Sequence, residues 1–202
     1  DEDSWRASQG IVRDIWEEYT DASDGGGDGE SVRWDPLVRR IVKKAMGGIS
    51  WESQLERLNS TSHYCLVHGD FWPGNVMIST NRNDAAAAEN AGVRDLRLLD
   101  WEMVGLGSGP QDLGQYILSN MDPGERRECE ERLIRNYHHK LVHELGVPNF
   151  SWEECWTEYK IGGLERWLWF LVYFCGNDGP VMARWAQFFH DQIKEFVHDH
   201  GI

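Results

Sequence analysis

Apolar residues return every three or four positions through residues 4–19, SWRASQGIVRDIWEEY, where Trp5, Ile11, Val12, Ile15, Trp16 and Tyr19 fall at helical intervals behind Ser4, a candidate cap. The period repeats over 35–46, DPLVRRIVKKAM, with Asp35 as cap, Pro36 at the first helical position and Leu37, Ile41 and Ala45 on one face. It repeats again over 50–58, SWESQLERL, with Ser50 and Ser53 as alternative caps and Leu55 and Leu58 expected to be buried. The period then shortens. YCLVH, NVMIS and LRLLDW are brief apolar runs that predict three short strands. From Asp112 onward the spacing is helical once more, over roughly 111–119, 123–145, 151–175 and 179–199, with Gly146 and Pro148, then Gly176, Asn177 and Gly179, as stops. Helices, a patch of short strands and more helices make a single α+β domain that is predominantly helical.

Two stretches lack apolar anchors. DASDGGGDGES (21–31) suits a surface loop, and an EF-hand reading fails because Val32 stands where the bidentate glutamate belongs. The alanine-rich NRNDAAAAENAGV (81–93) separates the second and third strands as a hairpin excursion without chemistry.

Charge narrows the partners. Twenty basic residues against 34 acidic ones leave a net charge of -14, so a nucleic-acid backbone or an anionic membrane surface is repelled on average. Much of the excess is local, because residues 1–30 hold ten acids against Arg6 and Arg13. Cys65, Cys129, Cys155 and Cys175 form no C-x-x-C pair, and are expected to be reduced, mostly buried thiols of a cytoplasmic protein. No apolar run reaches membrane-spanning length.

The chemistry gathers at HGDFWPGN, residues 68–75, which joins the first two predicted strands. Phosphoryl transfer from a nucleotide needs a carboxylate to orient and deprotonate the attacking hydroxyl, and oxygen ligands to hold Mg²⁺ on the phosphates. Asp70 can be that carboxylate. Asn75 can offer the metal an amide oxygen, and Asp100, closing the third strand, a carboxylate oxygen.

LVHGDFWPGNVMI followed by LRLLDWEMVGLGSGPQDLGQYI resembles the aminoglycoside phosphotransferase and choline kinase family, a branch of the protein-kinase-like fold. The resemblance implies the C-terminal lobe of that fold, with the short strands around the catalytic loop. It implies Asp70 as base, His68 as a brace of the loop, Asn75 and Asp100 as Mg²⁺ ligands and Glu102 as a further metal or water contact. Asp112 of PQDLG corresponds to the family's aspartate that supports the loop. The implied reaction uses ATP or GTP with Mg²⁺ to phosphorylate a hydroxyl of a small molecule. A protein kinase is disfavoured, because Gly69 stands where those enzymes carry arginine.

The family also covers its nucleotide with a lobe of strands, a glycine-rich loop and a strand lysine. Nothing before residue 68 reads that way. GGGDGE follows no strand, GLGSGP reads as a turn, and Lys43 and Lys44 lie on a polar helical face. The chain is therefore expected to be one lobe of a longer enzyme whose N-terminal nucleotide lobe is missing from it, and weak or inactive by itself. The alternative is a degenerate kinase-like binding module.

For the acceptor, the aromatic stretch SWEECWTEYKIGGLERWLWFLVYFCG is the candidate. Leu164, Trp167, Leu168, Leu171, Val172 and Cys175 recur as a core face, leaving Glu165, Trp169 and Tyr173 on another. Trp72 lies beside Asp70 in the loop. Indole faces with acids nearby suit a cationic acceptor such as an amino alcohol or aminoglycoside. His190, His198 and His200 are read as a frayed helix end.

Overall fold

Asp35 shows how closely local chemistry sets the helix starts. Its Oδ1 accepts the N–H groups of Leu37 (2.8 Å) and Val38 (3.4 Å), capping the helix that begins at Pro36. In this computed structural model, which describes residues 2–24, 32–48, 50–60, 63–78, 96–177 and 179–202, the helices are α1 (Glu2–Asp24), α2 (Pro36–Gly48), α3 (Trp51–Ser60), α4 (Gly109–Asn120), α5 (Pro123–His139), α6 (Trp152–Cys175) and α7 (Pro180–His200). A π-helical turn, Lys140–Glu144, extends α5. Ser50 caps α3 by accepting the Ser53 N–H at 3.0 Å, and Ser151 caps α6 by accepting that of Glu154 at 3.1 Å. Among the described residues no helix is long and apolar enough to cross a membrane.

Among the described residues one apolar core, built on α6, joins α1, α2, α4, α5 and α7 to it. Cys155, Tyr159, Leu164, Trp167, Leu168, Leu171, Val172 and Cys175 of α6 are buried with Val12 and Trp16 of α1, Val38, Val42 and Met46 of α2, Ile117 and Leu118 of α4 and Phe189, Ile193 and Phe196 of α7. The predicted core face of the aromatic stretch is therefore buried as expected. In α2 the most buried positions are Val38, Val42 and Met46, one residue on from the predicted set, with Leu37, Ile41 and Ala45 partly buried beside them.

Glycines bring α4 and α6 together. A Cβ on Gly163 would lie 2.7 Å from Gly114 Cα, and one on Gly114 would lie 2.6 Å from the Tyr159 carbonyl oxygen. Both obstacles are backbone, so neither can rotate away. Gly163→Ala is expected to lower stability by about 1–3 kcal/mol, read as an earlier denaturant midpoint with unchanged slope; an unmoved midpoint would show that the helices do not pack this closely.

Among the described residues, four short strands carry the loops of the site: β1 (Cys65–Val67), β2 (Val76–Ile78), β3 (Leu96–Leu98) and β4 (Gly105–Gly107). β1 pairs antiparallel with β4 and β2 with β3, in the registers Val67↔Gly105 and Val76↔Leu98. Only three strands were expected. Gly105–Gly107, read as a turn, is the fourth, because a backbone that matches β1 needs no β-forming side chains. The glycine-rich 25–31 and the alanine-rich 79–95 lie outside the described residues.

Several details depart from the sequence reading for physical reasons. Leu55 is exposed on α3, and Cys65 is exposed on β1, while Cys155 and Cys175 are buried and Cys129 is half-buried. Burial pushes the Cys155 thiol up to about 12, so it stays protonated and inert. The C-terminal histidines are not frayed. Buried His190 accepts the Asp35 N–H through Nε2 (2.9 Å), and His200 Nε2 meets Glu130 Oε2 at 3.3 Å.

Candidate active site

The two strand pairs place two loops side by side. Residues 68–75 run from the end of β1 to the start of β2, and 99–104 from the end of β3 to the start of β4, so both loops leave paired ends. They also touch. Gly69 has φ +77°, and a Cβ there would run into the Met103 carbonyl oxygen, so this position takes glycine for both its backbone and its space.

Leu99 is the clasp. Its N–H donates to the Asn75 carbonyl (2.9 Å), and its own carbonyl accepts from His68 Nε2 (2.7 Å). Because His68 Nδ1 accepts the Asp70 N–H at 3.3 Å, the ring carries its proton on Nε2, and one imidazole ties both loops. The Trp101 ring lies 4.7 Å from the His68 ring and covers it. Asp100 follows Leu99 with φ +56°, a left-handed conformation that aspartate tolerates better than most side chains.

Helix α4 supports the first loop from below. Asp112 accepts the backbone N–H groups of His68 (2.7 Å) and Gly69 (3.1 Å), and Gln115, one turn on, accepts that of Phe71 through Oε1 (3.1 Å). Burial pushes the Asp112 carboxyl above its usual range, although both backbone donors pull the other way.

Within the loop, Asn75 Nδ2 donates to the Asp70 carbonyl (3.0 Å) and to Asp70 Oδ2 (3.0 Å). The bend at Pro73–Asn75 is one 3₁₀ turn that returns the amide to the aspartate. With Nδ2 engaged, Asn75 keeps Oδ1 for a cation. Asp100 is exposed and has no ion pair among the described residues. An amide oxygen and a carboxylate oxygen are hard donors of the kind that hold Mg²⁺ together with a substrate's phosphates, so these residues fit the metal. Glu102 is exposed on the following turn, with no hydrogen bond to either loop among the described residues. Nor is there a group of three or more His, Cys, Asp or Glu among them that could cage a metal unaided.

A family model described as ecdysteroid kinase-like matches residues 16–150, most of the chain and all of both loops. The chain belongs to the ecdysteroid kinase-like family. That family is protein-kinase-like and related to the choline kinases and aminoglycoside phosphotransferases, so the sequence resemblance reached the superfamily and the match supplies the particular family. Comparison with curated proteins and with solved structures finds no significant match.

The acceptor residues named from the sequence are less closely drawn together. Trp72 is exposed in the loop, folded over Gly74, where a Cβ would strike its ring. Trp169 and Tyr173 stack at 5.9 Å with their planes 4° apart on α6, and Glu165 is exposed one position before Arg166. Arg166 is the residue sequence reasoning missed in this ecdysteroid kinase-like chain. Its Nη2 lies 3.7 Å from Asp70 Oδ1, and its guanidinium sits 4.7 Å from the Phe170 ring centre and 5.4 Å from that of Trp169. A signal was available: Arg166 is the one basic residue in the apolar stretch 161–175, and an arginine on a half-buried helix needs an anionic partner.

Proposed function

We propose that this ecdysteroid kinase-like chain is the catalytic lobe of an ATP- or GTP-dependent phosphotransferase that uses Mg²⁺ to phosphorylate a hydroxyl of a small molecule, with Asp70 as its base. The observation that carries the reading is the clasp at Leu99, because it brings the Asp70 loop and the Asp100 loop to one place. Asn75 Oδ1 and an Asp100 carboxylate oxygen would hold the metal. Bound there, Mg²⁺ would draw charge from the phosphates and fix their position. Asp70, held at Oδ2 by Asn75, orients the attacking hydroxyl and takes its proton on a carboxylate oxygen. His68 and Asp112 keep the loop backbone in the shape that this step needs.

For the acceptor, the family's name points to ecdysteroids, which are hydroxylated steroids. The aromatic surface of Trp169 and Tyr173 favours such a neutral acceptor over a cationic one, since the Trp169 indole already has the Arg166 guanidinium against it. Leu66 and Leu106, opposite each other on β1 and β4, and Ile78 and Leu96, opposite each other on β2 and β3, are exposed. These exposed apolar pairs offer a seat for a nucleotide-covering lobe contributed by sequence outside these residues.

Titration of the full-length protein with nucleotide at increasing Mg²⁺ tests the site. Asp100→Ala is expected to weaken the Mg²⁺-dependent part of binding by about tenfold or more. Unchanged Mg²⁺ dependence would refute the assignment. Phosphate transfer from γ-labelled ATP to a panel of steroid, sugar and amino-alcohol hydroxyls then identifies the acceptor class.

A further inference from the structure

Among the described residues, two buried side-chain nitrogens lack a hydrogen-bond partner, Arg166 Nε and Gln115 Nε2. Both residues touch the 68–75 loop, Arg166 through Asp70 and Gln115 through Phe71. Unsatisfied buried donors are rare, and each calls for an explanation.

Arg166 is the more informative of the two. Its side chain is 19% exposed, and burial lowers its pKa while Asp70 opposes that shift. Guanidinium remains charged even so. Asp70 is its one acidic neighbour within ion-pair range among the described residues, yet the 3.7 Å separation exceeds ordinary hydrogen-bond length. A structural arginine of this burial normally closes a bidentate pair. Arg166 instead is steadied by the faces of Phe170 and Trp169 and keeps donors unspent beside the carboxylate named as base.

Resting on the phosphotransferase reading above, we infer that Arg166 is a catalytic residue whose guanidinium contacts the phosphoryl group in transit. In the transfer, the acceptor oxygen forms a bond to the terminal phosphorus, and the bond from that phosphorus to the bridging oxygen breaks with its electrons passing to the departing diphosphate. The hydroxyl proton passes to an Asp70 carboxylate oxygen. As Asp70 accepts the proton it loses its charge, and the strongest anion left to Arg166 is the phosphoryl group, whose negative charge is spread over its equatorial oxygens at that moment. The guanidinium thus balances Asp70 at rest and the phosphoryl group during transfer. Arg166 lies beyond the residues matched by the family model, on α6, so it joins the second half of the chain to the chemistry of the first.

The test uses full-length protein, with MgADP alone and MgADP with aluminium fluoride, a mimic of the phosphoryl group in transit, as probes. Wild type, Arg166→Lys and Arg166→Met are compared by calorimetric titration, and thermal melts establish that each is folded. The wild type should hold MgADP more tightly with fluoride than without it. Arg166→Met should lose about tenfold or more of that enhancement, Arg166→Lys part of it, and MgADP alone should bind all three equally. An equal enhancement in all three proteins overturns the role of Arg166 and leaves the phosphotransferase reading standing. Failure of the wild type to bind MgADP overturns that reading, and the inference with it. Loss of folding in both variants assigns Arg166 to the core and also overturns the inference.

Discussion

Asp70→Asn should lower phosphoryl transfer by about 10²- to 10⁴-fold, the usual worth of a positioned general base, with the fold and Mg²⁺–nucleotide binding retained. The change is nearly isosteric, so the loop keeps its supports from Asp112, Gln115 and Leu99, none of which involves the Asp70 side chain. What is lost is the group that can take a proton from a hydroxyl. The anion facing Arg166 is lost too, and the guanidinium then has no carboxylate within 4 Å among the described residues. A modest fall in melting temperature is therefore expected along with the loss of rate, since a buried cation has lost its counter-charge. Initial rates of label transfer from γ-labelled ATP to the acceptor found in the panel, at saturating nucleotide, measure the effect. A variant rate within about tenfold of the wild type would remove Asp70 from the role of base, because a positioned base contributes more than that.

How much of this was legible in the sequence depends on how far each contact reaches along the chain. The caps at Asp35 and Ser50, the proline start of α2 and the glycine stop after α6 involve neighbours within a few residues, and the sequence shows them. The loop from His68 to Asn75 is equally local, since its defining bond spans five residues. Strand β4 was missed because its identity comes from pairing with β1 rather than from its own glycines. His190 was missed because its partner, Asp35, lies 155 positions away, and His200 because Glu130 lies 70 away. Arg166 belongs with them. Its meaning comes from Asp70, and spacing within α6 shows the arginine as an oddity without naming the carboxylate it faces. A motif's geometry is thus readable wherever one loop carries it, and a contact brought by a helix from the far half of the chain is not.

Glu130→Ala should cost about 3–5 kcal/mol of folding stability, a large share of the roughly 5–15 kcal/mol that a domain possesses. Arg126 is almost fully buried, and its Nη1 donates to both Glu130 oxygens at 3.0 Å while Nη2 meets Asp199 Oδ2. Tyr159 donates its hydroxyl to Glu130 Oε2 at 2.8 Å, and His200 reaches the same oxygen. Removing the glutamate leaves Arg126 Nη1 and the Tyr159 hydroxyl unsatisfied in the core, with Asp199 alone to balance the guanidinium. Burial alone would push the Glu130 carboxyl up, but the bonds from His200, Tyr159 and Arg126 outweigh it and hold it below the ordinary glutamate range. Asp199 is likewise held below 3.8, its bonds to Arg127 and Arg126 outweighing burial. Both acids are therefore more easily ionised folded than unfolded. The stability they contribute is fully present above pH 4.5 and is lost as pH falls through their lower folded values. Denaturant midpoints measured from pH 7 down to pH 3 should show a steep acid limb in the wild type and a shallower one in Glu130→Ala. The double change Arg126→Met with Glu130→Leu should recover much of the loss, because an apolar pair leaves no buried charge uncompensated. A single-variant cost below about 1 kcal/mol would mean that water reaches Arg126 and that the cluster is a surface feature, since exposed ion pairs contribute no more than that.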